Sequence, residues 1–192
     1  MPHLTGPFRA ILVAITLIAL PGLGCAGDTN AGPTLEFGGE SYIHRWSKDH
    51  QHEFTPVAQP DLQRWTDMIT VNVHPAVRDG EGLATVANTV LSNYQTHGRI
   101  VHTNSLPRTG EREAEHLMVA ALGSPDFIEL VFARVMKHEG VGVVLVYSHR
   151  VHGADVGAEA SAWLEEQGPT VEMRLMGFAG VPSPADLEDL AR

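Results

Sequence analysis

Two neighbouring stretches, Phe127 to Lys137 (FIELVFARVMK) and Val141 to His152 (VGVVLVYSHRVH), constrain the fold of this chain more than any other feature. Both are rich in β-branched residues and almost continuously apolar, as strands are when each face of their sheet is covered. The four residues between them, Lys137-His138-Glu139-Gly140, leave room only for an antiparallel hairpin. A chain carrying such a hairpin has to place a layer of structure on each side of it.

The remaining sequence supplies short strands and two main helices. Tyr42 to Thr55 reads as two strands joined by a polar turn near Ser47 to Asp49, and Pro56 and Pro60 bracket a loop. Met68 to His74 alternates as a strand and ends at Pro75. Asp79 is placed to cap a helix to about His97, with Leu83, Val86, Ala87, Val90, Leu91 and Tyr94 at helical spacing and Gly98 as a left-handed stop. Arg99 to Leu106 and Ala114 to Leu122 read as strands. Asp155 opens a second helix through Trp163 and Leu164, which Gly168-Pro169 is expected to end. Val171 to Phe178 then reads as a last strand or extended segment. Ser183 to Arg192, with Pro184 at the first helical position, reads as a short C-terminal helix or tail.

The expectation is an α+β fold: one mostly antiparallel sheet of about six strands flanked by helices. The globular domain is placed at 39–182, followed by the tail at 183–192. Over about Tyr42 to Gly168 this order of elements resembles the α/β/α sandwich of the photosystem II extrinsic PsbP-like proteins. That resemblance implies a non-catalytic binding or assembly domain and assigns no functional residue.

The amino terminus sets where such a domain would work. The stretch before Pro21 contains Arg9 and no acidic residue, and its apolar run, Ala10 to Leu20, fits the roughly 7–15 residues of a signal-peptide core. As a helix that run would span about 16 Å, half of the ~30 Å hydrocarbon core, so it cannot anchor the chain by crossing the bilayer. Pro21-Gly22 breaks it, and Leu23-Gly24-Cys25-Ala26 follows. These residues resemble the lipobox of bacterial lipoproteins, although the leucine usual three places before the cysteine is Gly22 here. Gly22 and Gly24 also satisfy the small-x-small rule of an ordinary cleaved secretory signal. What favours the lipoprotein reading is that Cys25 is the only cysteine and has no disulfide partner within the chain. The expectation is a signal peptide over 1–24 and a lipidated Cys25 opening a flexible tether over 25–38. The resemblance also implies a membrane anchor, a periplasmic face and, from Ala26, sorting to the outer membrane.

Removing 1–24 leaves about 168 residues, enough for one domain with a core of its own. Thirteen basic residues against twenty-three acidic give a net charge of −10. No basic stripe is present, which argues against nucleic acid or anionic lipid as the ligand and leaves a protein of the cell envelope as the expected partner.

Candidate chemistry is sparse. Asp49-His50-Gln51-His52-Glu53 is the densest group of potential metal ligands. On an extended strand His50 and His52 would share a face with Cα atoms about 7 Å apart, within reach of one zinc or copper ion if a third ligand came from elsewhere. The more economical reading is a solvated polar hairpin. At the end of the second long strand, His149 and His152 fall on opposite faces by parity. A ligand pocket there would draw on His149 with Glu129 and Arg134 from the partner strand. His138-Glu139 lacks the second histidine of a zinc-protease helix, and no nucleophile elbow is present. Trp46, Trp65 and Trp163 read as packing residues. The chain is therefore expected to be a lipid-anchored, non-catalytic binding module, with a periplasmic metal or small-ligand carrier built on His50 and His52 as the alternative.

Overall fold

The long hairpin lies in the interior of a single antiparallel sheet. The computed structural model describes residues 33–153 and 155–190, so the expected leader and Cys25 lie outside the described residues. Eight strands are present: β1 Thr34–Phe37, β2 Glu40–Lys48, β3 Gln51–Pro56, β4 Asp67–His74, β5 Gly98–Leu106, β6 Glu115–Gly123, β7 Phe127–His138 and β8 Val141–His152. The helices are α1 Gly80–His97, α2 Val156–Gly177 and α3 Pro184–Leu190. The sheet order is β1-β2-β3-β4-β8-β7-β6-β5.

Two meanders therefore meet in the middle. The chain advances through β1 to β4, and α1 then carries it over one face to the far edge. From β5 it steps back through β6 and β7 to β8, which pairs antiparallel with β4 from Asp67↔His149 to His74↔Gly142. The α+β expectation holds, with eight strands rather than about six. One added strand is β1, which falls inside the expected tether: Leu35 and Phe37 are buried against the sheet, so the folded part begins before residue 39.

Strand parity sorts the core into two layers. Phe54, Ile69, Val71, Leu130, Phe132, Val143 and Leu145 face Val171 and Leu175 of α2 and Leu187 of α3. On the opposite face Met118, Ala120, Val131, Ala133, Val144 and Val146 meet Leu83, Val86, Ala87 and Tyr94 of α1. Helices pack on both sides of β7 and β8, as their apolar sequences require. Coverage is nevertheless uneven. α1 packs on β5 to β8, and the same face of β2 to β4 carries no helix among the described residues.

Local chemistry accounts for the helix ends. Asp79 caps α1 by accepting the Gly82 amide at 2.8 Å. Gly98 does not take the expected left-handed conformation; at φ −169° it is extended and begins β5. The glycine is needed for space, because a Cβ there would lie 2.3 Å from the Ala121 carbonyl oxygen. The second helix also differs from expectation. It continues through Pro169 to Gly177, so Val171 to Phe178 is helix rather than strand. Val171 and Leu175, four residues apart, keep one apolar stripe on the sheet, and Gly168 is buried between them and the start of the helix. This burial outweighs the backbone hydrogen bond that proline removes.

Two further local features bear on the surface. The connection between β7 and β8 is a two-residue loop, with Glu139 and Gly140 at φ 47° and 82°. Bulges interrupt the register at His44/Trp46 in β2 and at Ile100/His102 in the edge strand β5. No helix of the described residues is long and apolar enough to cross a membrane.

Gly98→Ala is expected to destabilise the protein by about 1–3 kcal/mol through overpacking against β6. Urea unfolding followed by circular dichroism measures it, and an unchanged midpoint would contradict the packing described.

Candidate functional site

The end of β8 sends His149 and Arg150 to opposite faces of the sheet, and each is held by a different set of partners. On the α2 face, Asp67 of β4 accepts from His149 Nδ1 at 2.9 Å, from the Tyr147 hydroxyl at 2.7 Å and from Gln59 at 3.2 Å. The β4–β8 pairing places Asp67 directly opposite His149, and Tyr147 lies two residues back on the same face. Trp163 of α2 stacks on the His149 ring with centroids 4.0 Å apart and planes 9° from parallel. Burial alone would raise the Asp67 carboxyl, but the bonds from His149 and Tyr147 outweigh it and hold the group below its ordinary range. Burial and the adjacent carboxylate push the Tyr147 hydroxyl far upward. The result is an imidazole fixed in position and tautomer. No hydroxyl or thiol among the described residues is hydrogen-bonded to its other nitrogen.

On the other face, Arg150 is clamped. Its Nε donates to Glu129 at 3.0 Å, and its guanidinium lies 3.7 Å from the centre of the Trp65 ring and 4.2 Å from that of Phe127. Both charged side chains are about 15% exposed. On the same face, over the half of the sheet without a helix, Glu53 of β3 pairs in register with Trp46 of β2 and Thr70 of β4. Gln51 donates to Glu53 at 2.8 Å, and Glu53 makes no ion pair among the described residues. Burial raises the Glu53 carboxyl above its usual range, partly offset by Gln51 and by the charge of Arg150. The β2 bulge brings Arg45 against Thr55 at 3.0 Å and leaves the Trp46 side chain 38% exposed beside Glu53.

The three residues expected to share a pocket do not meet. Glu129 is on the α1 side of the sheet, whereas Arg134 and His149 face α2, because residues five apart on a strand point to opposite faces. Arg134 is opposite Leu145, four positions from His149, or about 13 Å along the strand. Its task is structural. It bonds Glu115 at 2.8 Å and donates to the Leu175 and Phe178 carbonyls at 3.0 and 2.8 Å, satisfying the last turn of α2.

The basis for a metal site at His50 and His52 changes as well. Asp49 and His50 form the turn, at φ 50° and 67°, so His50 is not on a strand face with His52. His52 is buried at 1% exposure, and its Nδ1 bonds the Ser47 hydroxyl at 2.7 Å, which also bonds His44 Nε2 at 2.6 Å. His50 and His52 border a cleft of about 220 Å³ with Val73, Arg78, Val141 and Pro184. No group of three or more histidine, cysteine, aspartate or glutamate side chains among the described residues is placed to hold a metal ion.

Comparison with known proteins adds little to this geometry. No protein-family model matches the chain, and no curated protein matches it in sequence. Among solved structures it is similar to the Saccharomyces cerevisiae Ran-binding protein Mog1p at 13% identity and a TM-score of 0.40, covering 83% of this chain and 88% of that one. A mutant form of protein Mog1 is similar at 10% identity and a TM-score of 0.39, with the same coverage. Likeness at that level carries no argument about fold or function.

Two outcomes follow from the site. Burial first, then the neighbouring His44 and His50, lowers the His52 pKa to about 4 from an ordinary 6.5. The unfolded chain therefore binds a proton between those values that the folded chain refuses, and stability is lost as pH falls through that window. The loss is on the order of 3 kcal/mol by pH 4, and His52→Gln should flatten the slope of unfolding free energy between pH 6.5 and 4. Separately, Asp67→Asn keeps the shape of the site but removes the charge that His149 and Tyr147 bind. It should cost about 1.5–3 kcal/mol in chemical denaturation at neutral pH, and a change under 0.5 kcal/mol would contradict the assigned network.

Proposed function

We propose that this chain is a membrane-anchored lipoprotein of the cell envelope, held by acyl chains on Cys25, whose domain is a non-catalytic binding module facing the periplasm. The observation that carries the reading is the run Leu23-Gly24-Cys25-Ala26 after a short apolar segment, in a chain with no second cysteine. The start of β1 at Thr34 refines it: nine residues of extended chain reach at most about 30 Å, so an anchored domain stays close to the membrane surface. Such confinement raises the effective concentration of the domain toward other envelope proteins.

A binding role is supported by the polar and aromatic row of Trp46, Glu53 and Thr70, on the half of that sheet face over which no helix packs among the described residues. The likeness to PsbP-like sandwiches rests on the order of elements along the chain alone, and a binding or assembly role is what that likeness proposes.

Growth with an alkyne-tagged palmitate tests the anchor. The full chain is expected to take up label and fractionate with membranes, and Cys25→Ser to lose both label and membrane association. Label that persists in Cys25→Ser would overturn the proposal.

A further inference from the structure

The α1 side of the sheet already holds one complete cation site. Arg150 is gripped by Glu129 and enclosed by Trp65 and Phe127, all from within the chain. Beside it on the same face are the parts of a second such site without its cation. Trp46 and Glu53 are a directly opposed cross-strand pair, so their side chains leave the sheet together with Cβ atoms about 5 Å apart. Trp46 is exposed and touches no other ring among the described residues, while Glu53 is half-buried and has only Gln51 as a hydrogen-bond donor. Burial has taken water from this carboxylate, and the charge of Arg150, which makes no ion pair with it, offsets that loss only in part.

We propose that the Trp46–Glu53 pair is the docking point for an arginine side chain of a partner protein. A planar guanidinium can stack on the indole while donating to the carboxylate, as Arg150 does with Trp65 and Glu129, whereas a lysine ammonium provides no plane to stack. Charge fixes the kind of partner. A chain of net charge −10 attracts a basic surface and repels a second copy of itself. Thr70 on the third strand continues the polar row, and the β2 bulge turns Trp46 toward the approaching side chain. A buried tryptophan and arginine in contact are the residue types that most often dominate the energy of an interface.

The inference rests on the binding-module reading, and its test is separate from that of the anchor. The full-length protein in detergent micelles, labelled with ¹⁵N, is titrated with the acetylated and amidated tripeptide Gly-Arg-Gly while the three tryptophan indole N–H signals are followed. The expected result is a saturable shift of the Trp46 signal, identified through Trp46→Phe, with Trp65 and Trp163 unmoved. Glu53→Gln, which keeps volume and fold, should weaken binding at least fivefold, and Glu166→Gln on the far side of the molecule should leave it unchanged. Equal affinity in Glu53→Gln and wild type, or an equal shift with Gly-Glu-Gly, would overturn the site. Either of those results with Cys25 still acylated leaves the anchored module standing, whereas loss of acylation removes the anchor whatever the peptide does.

Discussion

The β4–β8 pairing joins two meanders that otherwise share only the α1 crossover. Along it Ile69 lies opposite Tyr147, Val71 opposite Leu145 and Val73 opposite Val143, so buried side chains of the α2 face run across the join without a break. At its end the pairing delivers Asp67 to His149, and Trp163 of α2 closes over the ring. A sheet edge at either strand would expose a row of unpaired backbone groups in the middle of the molecule. Joined, the two strands let one layer of α2 and α3 side chains pack across both halves. The polar network around Asp67 then fixes the register that the apolar band alone would leave less sharply defined.

Much of this architecture was legible in the sequence, because it is written in local periodicity. The β7–β8 hairpin, the Asp79 cap and the Ser183-Pro184 helix start all depend on residues within one or two turns of each other. α2 is the instructive failure. Gly168-Pro169 is a strong local stop, but Val171, Leu175 and the Arg134 grip on the last carbonyls are tertiary effects, and together they outweigh it. The edge strand β1 was hidden for a similar reason. Four residues with only Leu35 and Phe37 as apolar markers look like tether until β2 lies beside them.

The site was less legible than the fold, for two distinct reasons. The parity rule that separates His149 from His152 also separates Glu129 from Arg134, so their expected convergence was excluded by the same arithmetic. Placing the hairpin turn one to two residues early moved His50 onto a strand, when Asp49 and His50 are the turn itself. By contrast, Asp67 to His149 and Trp46 to Glu53 depend on which strands are neighbours and on a bulge. Those are properties of topology, and no spacing in the chain announces them.

The edge strand β5 carries a last consequence. Nearly all of its side chains are exposed, and its outer backbone groups have no strand to bond among the described residues. Crowded in two dimensions, as a tethered domain would be, such borders invite neighbouring molecules to zip together into ribbons. The interruption at Ile100/His102 spoils the straight template this would need, and Glu172 of α2 reaches over to hold His102 at 2.8 Å. An irregular border of this kind insulates a strand against edge-to-edge pairing with a neighbouring molecule.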